Sequence, residues 1–402
     1  MRILIHDYAG HPFGFELSRE LAARGHEVRH AYFGGDEGPK GAVSLTADDP
    51  PSLSITPITI KSVYAKGALI KRHFLDRAYG HAAAAAIRSF RPDVILNANT
   101  PANALAPIQS AARACDARFV LWLQDVFGLA AQALIGSKWL GAGRLVAAYY
   151  TALERRAFAR SDRIVAISED FLPYLNACGV PNDRTSVIPN WGPISDISPR
   201  SKDNAWSRAH GLVDKTVFAY TGTLGMKHDP TLLYNLAASF KDRPDIAVVV
   251  ASFGVGADWL RQQNTTQPLP NLHLSGPIPF SDLADAYGAS DVLVALLEPD
   301  AGIFSVPSKV LAYLCTGRPI LLSAPPSNNA VRTIMGANGG VATPAGDAEA
   351  FISAAHGLAA DPDRRSKLGA CGRAHAEANF PIQAVADSFE PILTRWTKSL
   401  SS

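Results

Sequence analysis

Ser305-Val306-Pro307-Ser308-Lys309-Val310-Leu311-Ala312-Tyr313-Leu314-Cys315-Thr316-Gly317-Arg318-Pro319, followed by the apolar run Ile320-Leu321-Leu322-Ser323, is the stretch whose reading decides the fold. It reads as a loop, a helix and a return to a sheet. Ser305 can cap the helix, Pro307 is tolerated in a first turn where its missing N–H costs nothing, and Gly317 suits the C-terminal end. Lys309 is the residue that needs a reason. A cation in the first turn opposes the helix macrodipole by about 0.3–1 kcal/mol, while the free amides there favour an anion. Two readings fit: amides and lysine together face a phosphate group, or the lysine extends into solvent at that small cost.

The same grammar of apolar strand, polar loop and helix repeats on both sides. In the second half, Thr216 to Tyr220 is a strand, Thr221 to His228 a Gly-rich loop, and Pro230 to Phe240 a helix with Leu232, Leu233 and Leu236 inward. Ile246 to Ala251 is a central strand leading into Gly254-Val255-Gly256, Leu272 to Pro277 a short strand and turn, and Asp291 to Leu297 a strand that runs through Glu298 into the opening stretch. Lys227 then stands at a second helix N-terminus beside a Gly-containing turn. Two such lysines in one domain describe a diphosphate cradle, with Gly222, Thr223, Gly254, Ser305, Val306 and Ser308 as its other candidate contacts.

In the first half, Arg2 to His6 is a short apolar strand, followed by a loop holding Gly10, His11 and Gly14, a helix with Leu17, Leu21 and Ala22 inward, and a second strand from Glu27 to Phe33. This βαβ unit fits a parallel sheet. Residues 36 to 62, rich in Gly, Pro, Ser and Thr, read as a long loop or excursion. The strands Asp93 to Ala98 and Arg118 to Leu123 run into Asn99-Thr100 and Gln124-Asp125. Ligands of open α/β sheets bind at the carboxyl ends of strands, so Gly10, His11, Asn99, Thr100, Gln124 and Asp125 are site candidates by position. Plain turn chemistry and capping are the competing reading. Pro189 to Ser201, rich in Pro, Gly and Ser, is the expected domain boundary.

The 402 residues favour two domains of roughly 150–200 residues each. A hydrophobic content of 47%, a charged content of 18% and a net charge of +2 describe an ordinary globular protein and give no footprint for nucleic acid. Cys115, Cys178, Cys315 and Cys371 are scattered, without metal or disulfide spacing, which fits reduced thiols in the cytoplasm. No metal is expected. His6 and Asp7 interrupt the first apolar run, so no signal-peptide core is expected there, and no apolar run reaches the ~18–20 residues of a spanning helix. Membrane contact would then be peripheral. Tyr64 to Tyr79 interleaves Lys66, Lys71, Arg72, His73 and Arg77 with Leu69, Ile70, Phe74 and Leu75, and Leu134 to Arg163 sets Trp139, Leu145 and Tyr149 among Lys138, Arg144 and Arg155. Such basic amphipathic patterns suit an anionic membrane surface or an ordinary half-buried helix.

Leu21 to Val28, Asp162 to Ser168, Val187 to Trp191, Tyr220 to Gly225 with Lys227, Ser275-Gly276, Ser290 to Val292 and Val306 to Pro319 together resemble the GT-B-fold glycosyltransferases of retaining family 4, over nearly the whole chain. Within them, the Pro-Ser-Lys helix start looks most like the bacterial surface-polysaccharide and colanic-acid-type enzymes. The resemblance implies an α/β fold of two Rossmann-like domains whose parallel sheets face a central cleft. Residues 1–192 would bind the acceptor, 193–380 the nucleotide sugar, and 381–402 would form a helix returning to the first domain. Ala384 to Leu400, with Phe389, Ile392, Leu393 and Trp396 on one face, suits that helix. Two departures stand out. The family's pair of glutamates falls on Phe304 and Ala312, and its first-domain His-Asp pair appears as Gln124-Asp125.

The implied reaction is transfer of a sugar from a nucleotide-diphosphate sugar, a UDP-sugar rather than a GDP-sugar, to a glycan or polyprenyl-diphosphate-linked acceptor, with no further cofactor. Lys227 and Lys309 would stabilise the leaving diphosphate, and Asp125 or His11 would orient or deprotonate the acceptor hydroxyl. The enzyme is expected in the cytoplasm, with peripheral contact to the inner leaflet. Two alternatives stay open: a nucleotide-sugar epimerase on the same scaffold, and a non-catalytic carbohydrate-binding protein.

Overall fold

Short β-branched strands alternating with amphipathic helices form two parallel sheets, each in its own unit. The computed structural model describes residues 1–35, 42–60, 69–126, 128, 142–225, 228–297, 299 and 308–395. The expectations placed on residues 64–68 and 134–141, on Lys227, Glu298, Ser305, Val306 and Trp396, and on the side chain of Ser308 lie outside that description. The first unit comprises Met1–Asn190 with the chain from Ile382 onward, the second Trp191–Pro381, so the division falls at the start of the Pro/Gly/Ser-rich segment.

In the first unit β1 (Arg2–Asp7), β2 (Glu27–Phe33), β3 (Leu53–Ile58), β4 (Val94–Ala98), β5 (Arg118–Leu123), β6 (Arg163–Ala166) and β7 (Thr185–Val187) are ordered β3-β2-β1-β4-β5-β6-β7, every pair parallel. Ile3, Leu4, Ile5, Val94, Ile95 and Leu96 are shut off from water, as parallel strands covered on both faces require. The sheet changes its direction of growth between β1 and β4. β3 corrects the reading of residues 36 to 62 as a structureless excursion. Its Pro57 lacks an amide donor, which the outermost position tolerates and a central strand would not.

In the second unit β8 (Thr216–Thr223), β9 (Ile246–Phe253), β10 (Leu272–Ser275), β11 (Val292–Leu296), β12 (Ile320–Ala324) and β13 (Gly340–Pro344) are ordered β10-β9-β8-β11-β12-β13, again all parallel. The direction changes between β8 and β11. β8 is longer than its sequence suggests: Gly222 and Thr223, expected in a loop, pair with Ser252 and Phe253 and end the strand. Phe218, Tyr220, Leu233, Leu236, Val248, Val294 and Phe351 join one apolar core.

The helix Ile382–Thr394 packs on the first unit, beside the helix Pro12–Ala23. Phe389 and Leu393 are fully buried, and the Phe389 ring meets Trp122 of β5 edge-on at 5.0 Å between centroids. Arg24, just past the helix Pro12–Ala23, donates to Asp387 (2.7 Å), Glu390 (2.8 Å), Glu20 (2.9 Å) and the Gln383 carbonyl (2.8 Å), while His26 reaches Glu390 at 2.9 Å. The Arg24 guanidinium, then His26, holds the Glu390 carboxyl below its ordinary range. These charges are partly exposed, so they set the register while apolar burial supplies most of the attachment. Phe389→Ala is expected to cost the first unit about 3–5 kcal/mol through transfer and cavity terms. Hydrogen exchange should show the loss in β1 and β5 and leave β8 and β11 unchanged.

Candidate active site

The place where each sheet reverses its growth is the natural ligand crevice, because the flanking loops diverge there. In the first unit that crevice is built around Asp7, the last residue of β1. Its side chain is fully buried and accepts from the His11 amide (2.7 Å), the Ala9 amide (3.3 Å) and Asn99 Nδ2 (2.7 Å). A buried carboxylate survives only when so satisfied. Asn99 takes a left-handed conformation (φ 54°), which asparagine accepts more readily than most residues, and this aims its amide at Asp7. The knot ties the loop after β1 to the loop after β4. His11 is the N-cap of the helix Pro12–Ala23, half-buried, its ring stacked on Phe13 at 5.2 Å. Gly10 turns the loop through an amide bond to the Asp7 carbonyl at 3.0 Å.

Two candidates from this region face inward instead. The Thr100 hydroxyl is buried within hydrogen-bond distance of His6 Nδ1 (3.1 Å), Asn97 Oδ1 (3.2 Å) and the Ala98 carbonyl (3.1 Å). His6 is also buried, between Asn97 (2.9 Å) and the Tyr79 hydroxyl (2.7 Å), and burial lowers its pKa to about 4, which keeps it neutral. Gln124 spends its amide on Asn190, exchanging bonds of 2.6 and 3.2 Å. Thr100 and Gln124 thus brace the ends of β4 and β5, and both line one small cavity with Asn99 and Asp125. Asp125 is exposed just beyond β5.

Glu154 is a site-shaping residue that sequence reasoning misses. It lies in the helix Ala142–Arg160, whose basic pattern is the more visible signal, yet its buried carboxylate accepts from the Tyr174 hydroxyl (2.6 Å) and the Gly128 amide (3.1 Å). It also lines a cavity of about 30 Å³ with Asn99, Gln124 and Asp125.

In the second unit the crevice lies between the ends of β8 and β11, and Lys309 reaches into it. Lys309 belongs to the helix Ser308–Leu314, whose far end is clamped by Arg373 donating to the Cys315 carbonyl (2.7 Å) and to the Ile197 carbonyl (3.0 Å). The residue as a whole is half-buried, while its Nζ is closed to water. The solvent-extended reading therefore fails. Nζ sits 3.8 Å from the centroid of the Tyr220 ring, beside Gly222, and has no hydrogen-bond partner among the described residues. Burial alone lowers its pKa to about 7.

Tyr220 and Tyr313 are the residues that sequence reasoning misses here. The Tyr220 hydroxyl donates to the Thr223 carbonyl at 2.7 Å. Tyr313, one turn on from Lys309, accepts from the Thr221 amide at 3.2 Å and meets its hydroxyl at 3.1 Å, and Tyr287 meets that hydroxyl at 3.3 Å. Burial pushes all three phenols up, so they remain neutral. Gly222 (φ 93°) and Gly254 (φ 103°) hold left-handed turns at neighbouring strand ends, and a Cβ on Gly254 would come within 2.9 Å of the Leu224 carbonyl. Thr223 closes β8 with its side chain exposed. Among the described residues no three His, Cys, Asp or Glu side chains converge as a metal site.

The family model described as Glycosyltransferase Family 4 matches residues 14–191, and the one described as Glycosyl transferases group 1 matches residues 215–361. A search of curated proteins finds no match. Among solved structures, sucrose-phosphate synthase from Thermosynechococcus elongatus superposes with a TM-score of 0.74 at 17% identity, covering 98% of each chain. HepE from Anabaena superposes with a TM-score of 0.70 at 15% identity, over 98% of this chain and 100% of that one. WaaG, a glycosyltransferase involved in lipopolysaccharide biosynthesis, gives 0.70 at 15% identity over 98% and 100%. Both units are thus matched by family models and the fold by full-length neighbours: the chain belongs to the GT-B-fold glycosyltransferases of the family 4 type.

Proposed function

We propose that the chain transfers a sugar from a UDP-sugar to a hydroxyl of a glycan or polyprenyl-diphosphate-linked acceptor, with retention at the anomeric carbon, in bacterial surface-polysaccharide assembly. The single observation that carries the donor assignment is the Lys309 ammonium, buried and without a hydrogen-bond partner among the described residues at the β8/β11 crevice. An uncompensated buried cation is costly, and an anionic ligand is what offsets it. A diphosphate supplies that anion. HepE has been solved with UDP-glucose and with UDP and glucose, which supports a uridine donor here.

The charge that makes sugar transfer difficult develops on the departing diphosphate. Lys309, together with Lys227, stabilises it electrostatically, and Ser305, Val306, Ser308, Gly222, Thr223 and Gly254 are assigned to the rest of the donor. On the first unit, Asp125 or His11 orients or deprotonates the acceptor hydroxyl, with Gly10 and Asn99 shaping the loop around it. The fold is shared with a UDP-N-acetylglucosamine 2-epimerase from Listeria monocytogenes (TM-score 0.61, 13% identity, 98% of this chain and 96% of that one), so the fold does not choose between transfer and epimerisation. UDP-sugars incubated with and without lipid-linked glycans decide it. Acceptor-dependent UDP release is expected; a changed sugar nucleotide without acceptor would make the chain an epimerase, and binding without turnover a scaffold.

No described helix is long and apolar enough to cross a membrane. The helices Leu69–Phe90 and Ala142–Arg160 expose Phe74 (66%), Leu145 (74%) and Tyr149 (43%) beside exposed Arg72, Arg77 and Arg144. That pairing supports peripheral contact with an anionic cytoplasmic leaflet.

Lys309→Met is expected to weaken UDP binding about 10- to 100-fold, the range for losing a charge-assisted bond, while raising the stability of the ligand-free protein because a buried cation is removed. Calorimetry and thermal unfolding would read the two opposite signs, and unchanged UDP affinity would remove the donor assignment. The native pKa of about 7 lies below the ordinary lysine value of 10.5, so between them the unfolded chain binds a proton that the native one does not. Ligand-free stability should therefore climb with pH across that window, UDP affinity should fall as pH rises through about 7, and Lys309→Met should flatten the lysine's share of both trends. Vesicles rich in anionic lipid should float the wild-type protein and lose the Phe74→Ser/Leu145→Ser variant; flotation of both equally would count against this membrane face.

A further inference from the structure

Among the described residues, the Lys309 ammonium meets an aromatic face and no counter-ion. Tyr220 is fully buried near the end of β8, with its ring centroid 3.8 Å from Lys309 Nζ. Its orientation is fixed at two places: the hydroxyl donates to the Thr223 carbonyl at 2.7 Å, and the ring meets His228 edge-on at 6.3 Å. The hydrogen bonds of the described titratable neighbours run elsewhere. Tyr287 and Tyr313 direct their hydroxyls to Thr221, and His228 Nδ1 accepts from the Gly225 amide at 3.1 Å. Val292, Val294 and Leu321 of β11 and β12 are apolar and buried in the core of this unit. Among the described residues, then, the electron-rich ring face is what the cation has in place of a carboxylate.

The difference matters chemically. A carboxylate would hold the lysine equally well, but it would cancel the positive charge and compete with an incoming phosphate. A ring face attracts the cation without supplying an anion, so the ring itself puts no negative charge in the way of an incoming phosphate. Resting on the assignment of Lys309 to the donor diphosphate, we propose that Tyr220 is a positioning residue of the donor site, whose ring carries the Lys309 ammonium at the end of β8 and whose hydroxyl, tied to Thr223, fixes that ring beside Gly222.

The test varies the ring's electrons while keeping its size. Full-length protein carrying Tyr220→Phe, or 4-fluoro-, 3,5-difluoro- or pentafluorophenylalanine at position 220, is titrated with UDP by calorimetry, alongside Lys309→Met. Tyr220→Phe keeps the face and should bind UDP within about threefold of wild type, whereas progressive fluorination should weaken binding stepwise, to about tenfold for the pentafluoro ring. In the Lys309→Met background the same series should be flat. A merely structural role for the ring would not produce an electronic trend, and thermal unfolding of each variant reports any packing loss separately. If the fluorinated series binds UDP as tightly as Tyr220→Phe while Lys309→Met still loses affinity, the role given to Tyr220 is wrong and the lysine assignment stands. If Lys309→Met binds UDP like wild type, the underlying donor reading is what fails.

Discussion

A buried ammonium over a tyrosine ring is the constraint on which the second unit depends. Desolvation makes the Lys309 charge expensive, and the ring returns only part of that cost. The arrangement persists because the surroundings leave the side chain nowhere cheaper to go. The helix Ser308–Leu314 is clamped at its far end by Arg373, and Tyr313 ties its inner face to the Thr221 amide. Sites held out of their own energy minimum in this way are where ligands find a prepared partner, and stability given up there is expected of a functional surface.

The first unit solves the opposite electrostatic problem by opposite means. Asp7 is a buried anion, and it is fully satisfied by the Ala9 and His11 amides and the Asn99 side chain. Nothing is left over for a ligand to offset, so Asp7 sets loop geometry and carries no binding role of its own. Of the candidates on this unit, Asp125 is exposed and His11 half-buried. The contrast between a carboxyl bonded to three donors and a lysine that, among the described residues, has no hydrogen-bond partner is what marks the second crevice as the candidate site.

Much of this is legible from residue order. Continuous apolar runs such as Ile246 to Ala251 mark central parallel strands, because length and β-branching leave little alternative. β3 escapes such a reading because Pro57 and the surrounding Ser and Thr look like loop chemistry and its buried Leu53 and Ile58 show no alternation, while the edge position is what reconciles the strand with proline. Position at a strand's carboxyl end makes Asn99, Thr100 and Gln124 candidates but does not give their directions. Whether a side chain faces a crevice or braces the strand beneath it depends on partners far away in sequence, as Gln124 shows with Asn190 and Thr100 with His6. Lys309 stands out through the helix dipole, an argument about the backbone, yet its actual setting is decided by Tyr220, nearly ninety residues earlier in the chain.

Ala312 connects these points to the chain's departure from the pattern it otherwise resembles. A glutamate there would stand three residues on from Lys309, on the adjoining strip of the same helix, where opposite charges pair. The ammonium would then have a counter-ion in place of the ring face alone, and an incoming phosphate would have to displace it. With alanine at 312 the lysine has no carboxylate at that position of its own helix, and Tyr313 turns inward to Thr221. The missing carboxylate and the lysine set over a ring therefore go together: the site gives up an acidic contact on this helix and presents, where the crevice of the second sheet opens, a lysine whose charge burial has lowered and an arriving phosphate would restore.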